Sequence, residues 1–320
     1  MKRFFSVLGS FFLLLIIATG CSWIKDDLSS CPQTLQLYFY NETPCDGKIR
    51  HPERLGQMNK IALSLFDQKG RLVLRYDAFN VVHGDNPYAQ ISTPPQGKYT
   101  LVCWGVSNAS FYSIENIIDG SLIDQMYWTL NPEYNPSTVR LSELYYGRID
   151  NLEIKDHTDL GSIIDTLHIN MRQFTNELNL KVKGLDDLNH YTATITDDNA
   201  AYNFLGGSIK RNIVYKQYLN KTDREEYRSA MFSLLKLDRE SRHPQLVITE
   251  DKSGKILYKQ SVMTIIDAVA LYGNAEPINF ECEHVFDLSL DLEKKSDGTY
   301  MLIGIKVNGW NVVVRDVILG

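Results

Sequence analysis

Alternating apolar and polar residues run through the first half of the chain and predict β-strands. The segment TLQLYFY places Leu35, Leu37 and Phe39 on one face, the pattern of a strand buried on one side. The segment IALSLFDQKGRLVLRY alternates on both sides of DQKG, which predicts a hairpin with Gly70 in the turn. A turn at residues 95–97 leads into KYTLVCWG, and STVRLSELYYGRIDNLEI closes this half.

The second half shows the same kind of pattern, with turn signals between short strands. Leu178, Leu180 and Val182 alternate cleanly after a looser stretch at residues 168–173. Hairpins are predicted around DKSG, around SDG and at the Asn-Gly pair 308–309, which suits a type I′ turn.

One segment has a helical pattern. It is KTDREEYRSAMFSLLKL, residues 221–237, opened by a capping box of Thr222 and Glu225. Short strands with hardly any helix indicate β-sandwiches, so the predicted fold class is all-β. The chain length suits two domains, and the polar stretch DHTDLGS marks the expected boundary. We therefore expect sandwich domains in tandem at residues 31–158 and 159–320.

The N-terminus has the features of an export signal. Lys2 and Arg3 precede an uncharged stretch, residues 4–18, which is shorter than the roughly 20 residues that a bilayer-spanning helix needs. These proportions are typical of a signal peptide over residues 1–20. The following ATGC resembles a bacterial lipobox, in which cleavage precedes the cysteine, here Cys21, and acyl chains are attached to it. An ordinary secretory leader with Cys21 as a structural thiol is the alternative.

Lipidation at Cys21 predicts membrane attachment without a transmembrane segment. Each buried methylene contributes about 0.8 kcal/mol, and more than one acyl chain gives stable attachment. Residues 21–30 then form a lipidated tether, and the expected location is the cell outer membrane, with the protein exposed at the surface. Lys25, Asp26 and Asp27 resemble the Lys-acidic-acidic signal that sends lipoproteins to the cell surface in Bacteroidia. A solvated linker is the alternative for these three residues.

Composition narrows the function classes further. Apolar residues make up 44% of the chain and charged residues 22%, as in a globular protein with a real core. The net charge of −6 argues against nucleic acid as a partner, because nucleic acid attracts basic surfaces. The 18 tyrosines and 13 phenylalanines favour strands.

Cysteines other than Cys21 allow a disulfide. Cys31, Cys45, Cys103 and Cys282 can pair in three ways, and an exported protein is able to oxidise them. A strand between Cys31 and Cys45 would separate them by about 30 Å, far beyond the roughly 7 Å between Cα atoms that a bridge allows. A bond between Cys45 and Cys103 is open, but the sequence does not decide the pairing. Without a CxxC motif, zinc and thioredoxin-like sites have no support.

Candidate chemical motifs are weak. The segment ECEH collects metal-ligand types, but on a strand Glu281 and Glu283 would face away from Cys282 and His284, so the ligands would not converge. DKSG and KKSDG lack the oxygen ligands of an EF-hand. No Gly-x-Ser-x-Gly, phosphate loop or HxxxH pattern is present. We therefore expect neither an enzyme nor a bound metal or cofactor.

Aromatic clusters give an alternative function. Tyr127, Trp128, Tyr145 and Tyr146 together would form a stacking platform for glycans, as in a surface glycan-binding lipoprotein or another adhesin. The structural alternative is that half of each alternating set lies in the core.

The segment DDLSSCP directly behind a lipobox, followed by an alternating strand, resembles the FimB/Mfa-type fimbrial anchor lipoproteins of Bacteroidia. The hairpin IALSLFDQKGRLV, the strand GKYTLVCWG and the segment ELYYG agree with the first domain of that family. The resemblance covers residues 21–147 well and the second half only in layout.

This resemblance implies a fold and a role. The fold would be two tandem transthyretin-like Greek-key β-sandwiches. The role would be to anchor the base of a fimbria and limit its length, by strand complementation with a shaft pilin. Shaft subunits of the family lose an N-terminal segment after an arginine, whereas the polar stretch between the expected domains has no convincing basic cleavage site. The C-terminal WNVVVRDVIL is predicted to be a core strand, with a subunit-contact strand as the alternative.

Overall fold

The computed structural model describes residues 31–131, 140–155, 162–221, 226–238, 243–272 and 276–313. Within these ranges the chain forms twenty β-strands, one α-helix and two 3₁₀ turns. The first ten strands are β1 (Gln33–Tyr40), β2 (Lys60–Phe66), β3 (Leu72–Asn80), β4 (Tyr88–Ser92), β5 (Gly97–Val106), β6 (Tyr112–Glu115), β7 (Tyr127–Leu130), β8 (Leu144–Ile154), β9 (Ile163–Asn170) and β10 (Arg172–Gln173). The others are β11 (Thr175–Lys183), β12 (Tyr191–Asn203), β13 (Ser208–Tyr218), β14 (Asn220–Lys221), β15 (Tyr227–Leu235), β16 (Gln245–Glu250), β17 (Ile256–Ser261), β18 (Val285–Lys294), β19 (Tyr300–Val307) and β20 (Trp310–Val313). The helix, α1, spans Val262–Tyr272, and the 3₁₀ turns span Pro52–Leu55 and Ala109–Phe111.

The first sandwich packs a three-stranded sheet against a five-stranded sheet. The strand orders are β4–β1–β9 and β10–β8–β5–β2–β3. Leu35, Leu37 and Phe39 of β1 are buried in the core between the sheets, together with Leu63 and Leu101. The inward face predicted for the first strand is therefore confirmed.

The second sandwich packs a larger pair of sheets together with the helix. One sheet has the order β14–β15–β11–β18–β19–β20, and the other has the order β17–β16–β12–β7–β6, with β13 paired to β12. Leu180, Ile195 and Leu288 lie in its core with Ile265 and Val269 of α1. The all-β fold class predicted from the sequence is confirmed.

Strand pairing connects the two halves of the chain. Strand β9 follows the expected boundary after residue 158, yet it pairs with β1. Strands β6 and β7 precede that boundary, yet β7 pairs with β12, where Trp128 lies opposite Tyr202. A third hydrophobic cluster contains residues from both halves, among them Trp104, Trp128 and Phe174. The division into residues 31–158 and 159–320 stays a prediction.

The hairpins expected from turn signals are present. Strands β2 and β3, β16 and β17, β18 and β19, and β19 and β20 pair antiparallel. Gly70, Asn308 and Gly309 have φ angles of 73°, 46° and 87°. Tight hairpin turns need this left-handed backbone, which glycine and asparagine adopt most readily.

The prediction of a helix over residues 221–237 is wrong. Most of this segment is β15, which pairs antiparallel with β11 over nine residue pairs. Phe232 and Leu234 alternate into the core at 1% exposure each. Sheet pairing and burial therefore override the local helix preference of these residues. The capping-box residues lie outside the described ranges.

Helix α1 departs from the prediction, which placed no helix there. Val262, Ile265, Ile266 and Val269 recur at helical spacing, and each is at most 2% exposed. The periodic signal was present in the sequence, but it follows directly on the strand pattern of β17.

Candidate attachment and partner-binding surfaces

The predicted attachment residues Cys21, Lys25, Asp26 and Asp27 lie outside the described residues. The first described element is β1, which begins two residues after Cys31. Strand β1 lies between β4 and β9 and pairs with β9 in parallel over eight residue pairs. A central strand with neighbours on both sides is held more firmly than an edge strand. Strand β1, the first described strand after the proposed attachment site, is therefore held on both sides.

A disulfide joins the two halves of the chain. Cys45, five residues after the end of β1, is bonded to Cys282, three residues before β18, with Cα atoms 6.0 Å apart. The structure thus decides the pairing that the sequence left open, and Cys45 does not pair with Cys103. Cys103 is 0% exposed within β5, where it shares the core face with Leu101, and burial raises the pKa of its thiol. Cys31 is a free thiol.

The loop that carries Cys45 is fixed by an ion pair. Asp46 accepts hydrogen bonds from the backbone N–H and the hydroxyl of Thr43 at 2.7 and 2.8 Å. Both terminal nitrogens of Arg54 donate to the same carboxylate at 2.7 and 2.9 Å. The Arg54 guanidinium and the Thr43 N–H hold the pKa of Asp46 well below its usual range. This geometry positions the loop for the disulfide.

The ECEH segment does not lie on a strand, so the opposed faces that its residues would have on a strand do not apply. Residues 280–282 form a turn before β18, and Glu281 pairs with Lys236 at 2.5 Å and with Arg172 at 3.5 Å. Cys282 forms the disulfide with Cys45, so it has no free thiolate to bind a metal. Burial lowers the pKa of His284 to about 4. Within the described ranges, no group of three or more His, Cys, Asp or Glu side chains is arranged to hold a metal ion.

A groove runs between the two sandwiches. A cavity of about 870 Å³ is lined by Phe174, Tyr202, Lys236 and Glu281, and a second of about 560 Å³ adjoins it. Arg172 lines both cavities. Lys236 is only 8% exposed, so burial lowers its pKa while the Glu281 carboxylate opposes that shift. The groove therefore presents balanced charge over an aromatic floor.

The aromatic residues considered for a glycan platform lie mostly in the cores, which was the structural alternative. Trp128, Tyr145 and Tyr146 are at most 6% exposed, and only Tyr127 is partly accessible. The Tyr146 hydroxyl donates to the backbone carbonyl of Phe204 at 3.0 Å. These rings fill the cores because their strand faces point inward, so they offer no stacking surface.

Strand β20 lies at one edge of its sheet among the residues that the structure describes. It pairs with β19 on one side and forms the end of its sheet in the described part of the chain. Trp310 at its start is 55% exposed and lines a cavity of about 420 Å³ with Val269 and the cysteines of the disulfide. The first four residues of WNVVVRDVIL form a strand, but Trp310 and Asn311 are exposed, so a core strand over this segment stays a prediction. The remainder lies outside the described residues.

Among the residues that the structure describes, no helix is both long and apolar enough to cross a membrane.

Comparison with known proteins identifies the family. A family model described as fimbrillin-A associated anchor proteins Mfa1 and Mfa2 matches residues 28–316. The minor fimbrium anchoring subunit Mfa2 of Porphyromonas gingivalis is 25% identical over 302 residues, which cover 92% of this chain and 90% of that protein. A solved structure, the fimbrial anchor protein Mfa2 from Porphyromonas gingivalis, has a TM-score of 0.68 at 21% identity and covers 88% of this chain and 99% of its own. The resemblance to Mfa-type fimbrial anchors is confirmed, and the chain belongs to the family of fimbrillin-A associated anchor proteins Mfa1 and Mfa2.

Proposed function

We propose that this protein is the base of a surface fimbria, held in the outer membrane by acyl chains on Cys21. The observation that carries the proposal is the family match over residues 28–316, with a relative named as a fimbrium anchoring subunit. The protein acts by contacts with other proteins and not by catalysis. Lys25, Asp26 and Asp27 act as the export signal that brings it to the cell surface.

The partner is a shaft pilin that adds a strand to the fold. An edge strand leaves a row of backbone N–H and C=O groups unpaired, and an incoming strand satisfies them. Strand β20 offers such an edge, and its exposed Trp310 beside a cavity suits the aromatic anchors that dominate protein interfaces. We propose this edge as the pilin contact.

Attachment also limits fimbrial length in this proposal. A base subunit that stays tethered by its N-terminus occupies one end of the polymer and gives further subunits no free end there. The same subunit therefore controls both the growth of the fimbria and its retention on the cell.

Deletion of the gene tests the role directly. We expect fimbriae that are longer than normal and are shed into the medium, with rescue by the wild-type gene. Fimbriae of normal length and normal retention would rule the role out. Crosslinking followed by pull-down identifies the partner. Saturable binding of a polysaccharide without any pilin partner would instead favour the glycan-binding alternative.

A further inference from the structure

Two tracks of chain run side by side through both sandwiches. The first track is the backbone from β9 through β10 to β11, residues 163–183. The second track consists of β1 and β18, which are far apart in sequence. Strand β1 pairs in parallel with β9, and β18 pairs in parallel with β11 over seven residue pairs. Each strand of the second track therefore lies beside the first.

Hydrogen bonds continue the contact where the strands stop. The N–H of Met171 donates to the carbonyl of Tyr40 at 2.7 Å, just beyond the paired residues of β1 and β9. The side-chain oxygen of Asn170 accepts a hydrogen bond from the backbone N–H of Glu42 at 2.9 Å. The side-chain nitrogen of Asn170 donates to the carbonyl of Glu42, also at 2.9 Å. The N–H of Glu177 donates to the carbonyl of His284 at 2.8 Å, next to the start of β18. The second track therefore stays in contact with the first track along β1 as far as Glu42 and again from His284 into β18. A single break in the second track lies between these two parts.

The Cys45–Cys282 disulfide closes that gap. Cys45 follows β1 and Cys282 precedes β18, so the bond joins the end of one strand to the beginning of the other. The covalent path then runs from residue 21 through β1, across the disulfide and into β18, β19 and β20. Residues 46–281 form a closed loop outside this path.

We infer that this disulfide carries the tension on the anchor, from the tether at Cys21 to the strands after Cys282 that grip the partner. The inference rests on the proposed function, which supplies a fixed point at Cys21 and a pulling partner beyond residue 282. Under this load the loop of residues 46–281 need not unfold. Without the disulfide, the same load passes along the whole backbone and is resisted only by hydrogen bonds and packing.

Single-molecule pulling on the mature chain, with handles at residue 21 and at the C-terminus, tests the path. The cysteines are 237 residues apart in sequence, which corresponds to about 800 Å of extended chain. In the oxidised protein the loaded path consists of residues 21–45 and 282–320, which should span about 200 Å when fully extended. After reduction of the mounted molecules, or in the Cys45→Ser/Cys282→Ser variant, the extension should increase by the length of the loop. A native extension equal to that of the variant would overturn the inference.

Shear on living cells tests the role under load. Cells with Cys45→Ser/Cys282→Ser should carry normal numbers of fimbriae at rest and shed several-fold more than wild type under shear. Cys31→Ser removes a free thiol in the same chain and serves as the matched control, with shedding equal to wild type. Equal shedding of the double variant and wild type would overturn the role of the disulfide. The pulling experiment needs no fimbria, so failure of the proposed function would appear separately, as normal fimbriae after gene deletion.

Discussion

Trp104 and Trp128 stack face to face, with ring centroids 5.5 Å apart and planes only 9° from parallel. Trp104 belongs to β5 in the first sandwich, whereas Trp128 belongs to β7, which pairs with β12 in the second. Tyr146, Phe174, Tyr202 and Phe204 also contact the Trp104 ring, and all six rings are at most 6% exposed. The two sandwiches therefore share a third apolar cluster, in addition to the core that each has of its own.

Replacing Trp104 with alanine should destabilise the whole protein. Loss of a buried tryptophan typically costs about 3–5 kcal/mol of unfolding free energy, because the transfer energy is lost and a cavity remains. Urea unfolding followed by circular dichroism measures the change. Trp310→Ala is the control, since its ring is 55% exposed and a surface substitution typically changes stability by less than about 0.5 kcal/mol. Similar losses in both variants would contradict a shared core around Trp104.

The part of the fold that sequence could predict is the part encoded locally. The inward face of β1 depends on a two-residue alternation, and the hairpin turns depend on residues such as Gly70 and Asn308. The structure keeps the conformations that these residues favour locally, because no long-range contact opposes them. The strand nature of β15 was not predictable in this way, because it depends on β11, which lies more than forty residues earlier in the chain.

The candidate site was less predictable, because it depends on residues far apart in sequence. The pairing of Cys45 with Cys282 requires the two sandwiches to pack, and neither cysteine has a local motif. Trp310 is exposed because β20 is the last described strand of its sheet. The alternation of apolar and polar residues does not predict which strand lies at the edge of a sheet. By contrast, the burial of Cys103 agrees with the two-residue alternation of β5, which puts Leu101 and Cys103 on the same face, although that alternation did not decide the disulfide pairing.

His284 should make stability fall in mild acid. Its pKa in the folded protein is lowered to about 4, first by burial and then by the Lys236 ammonium, while Glu281 opposes the shift. The unfolded chain has a histidine pKa near 6.5, so it takes up the proton first as pH falls. The stability that neutral His284 contributes is complete above pH 6.5 and is lost between pH 6.5 and 4, by about 3 kcal/mol in total.

The test compares His284→Gln with wild type across that pH range. Glutamine stays neutral, so the slope of unfolding free energy against pH should become flatter between pH 6.5 and 4. The exposed His168 stacks on Tyr38, and His168→Gln serves as the matched control for replacing a histidine with glutamine. An unchanged slope in His284→Gln would show that other groups cause the acid sensitivity.

Cys21→Ala should release the protein from membranes. Acyl chains contribute about 0.8 kcal/mol per buried methylene, and no other membrane-inserting element is proposed for this chain. Detergent phase partitioning and cell fractionation measure the change, with Cys31→Ala as a control that leaves the proposed acylation site intact. Mass spectrometry of the wild-type N-terminus should show an acylated residue 21. Continued membrane fractionation of Cys21→Ala would contradict lipid anchoring at this position.

Trp310→Asp should block partner capture without harming the fold. The ring is largely exposed at the start of the edge strand β20, so the unfolding free energy should change by less than about 0.5 kcal/mol. A buried charge without a partner would oppose an incoming strand, and loss of an aromatic anchor typically costs more than about 2 kcal/mol of binding energy. Pilin affinity should then fall more than about tenfold, because tenfold corresponds to only about 1.4 kcal/mol.

The matched control for this edge is Ile256→Asp. Ile256 is 56% exposed and begins β17, which forms the edge of the opposite sheet, so it tests the same change at another edge. Pilin binding measured by biolayer interferometry should fall for Trp310→Asp and stay near wild type for Ile256→Asp. The reverse order would move the contact to the β17 edge. Equal binding by wild type and both variants would exclude either edge, and the shaft would then have to engage a different surface of the anchor.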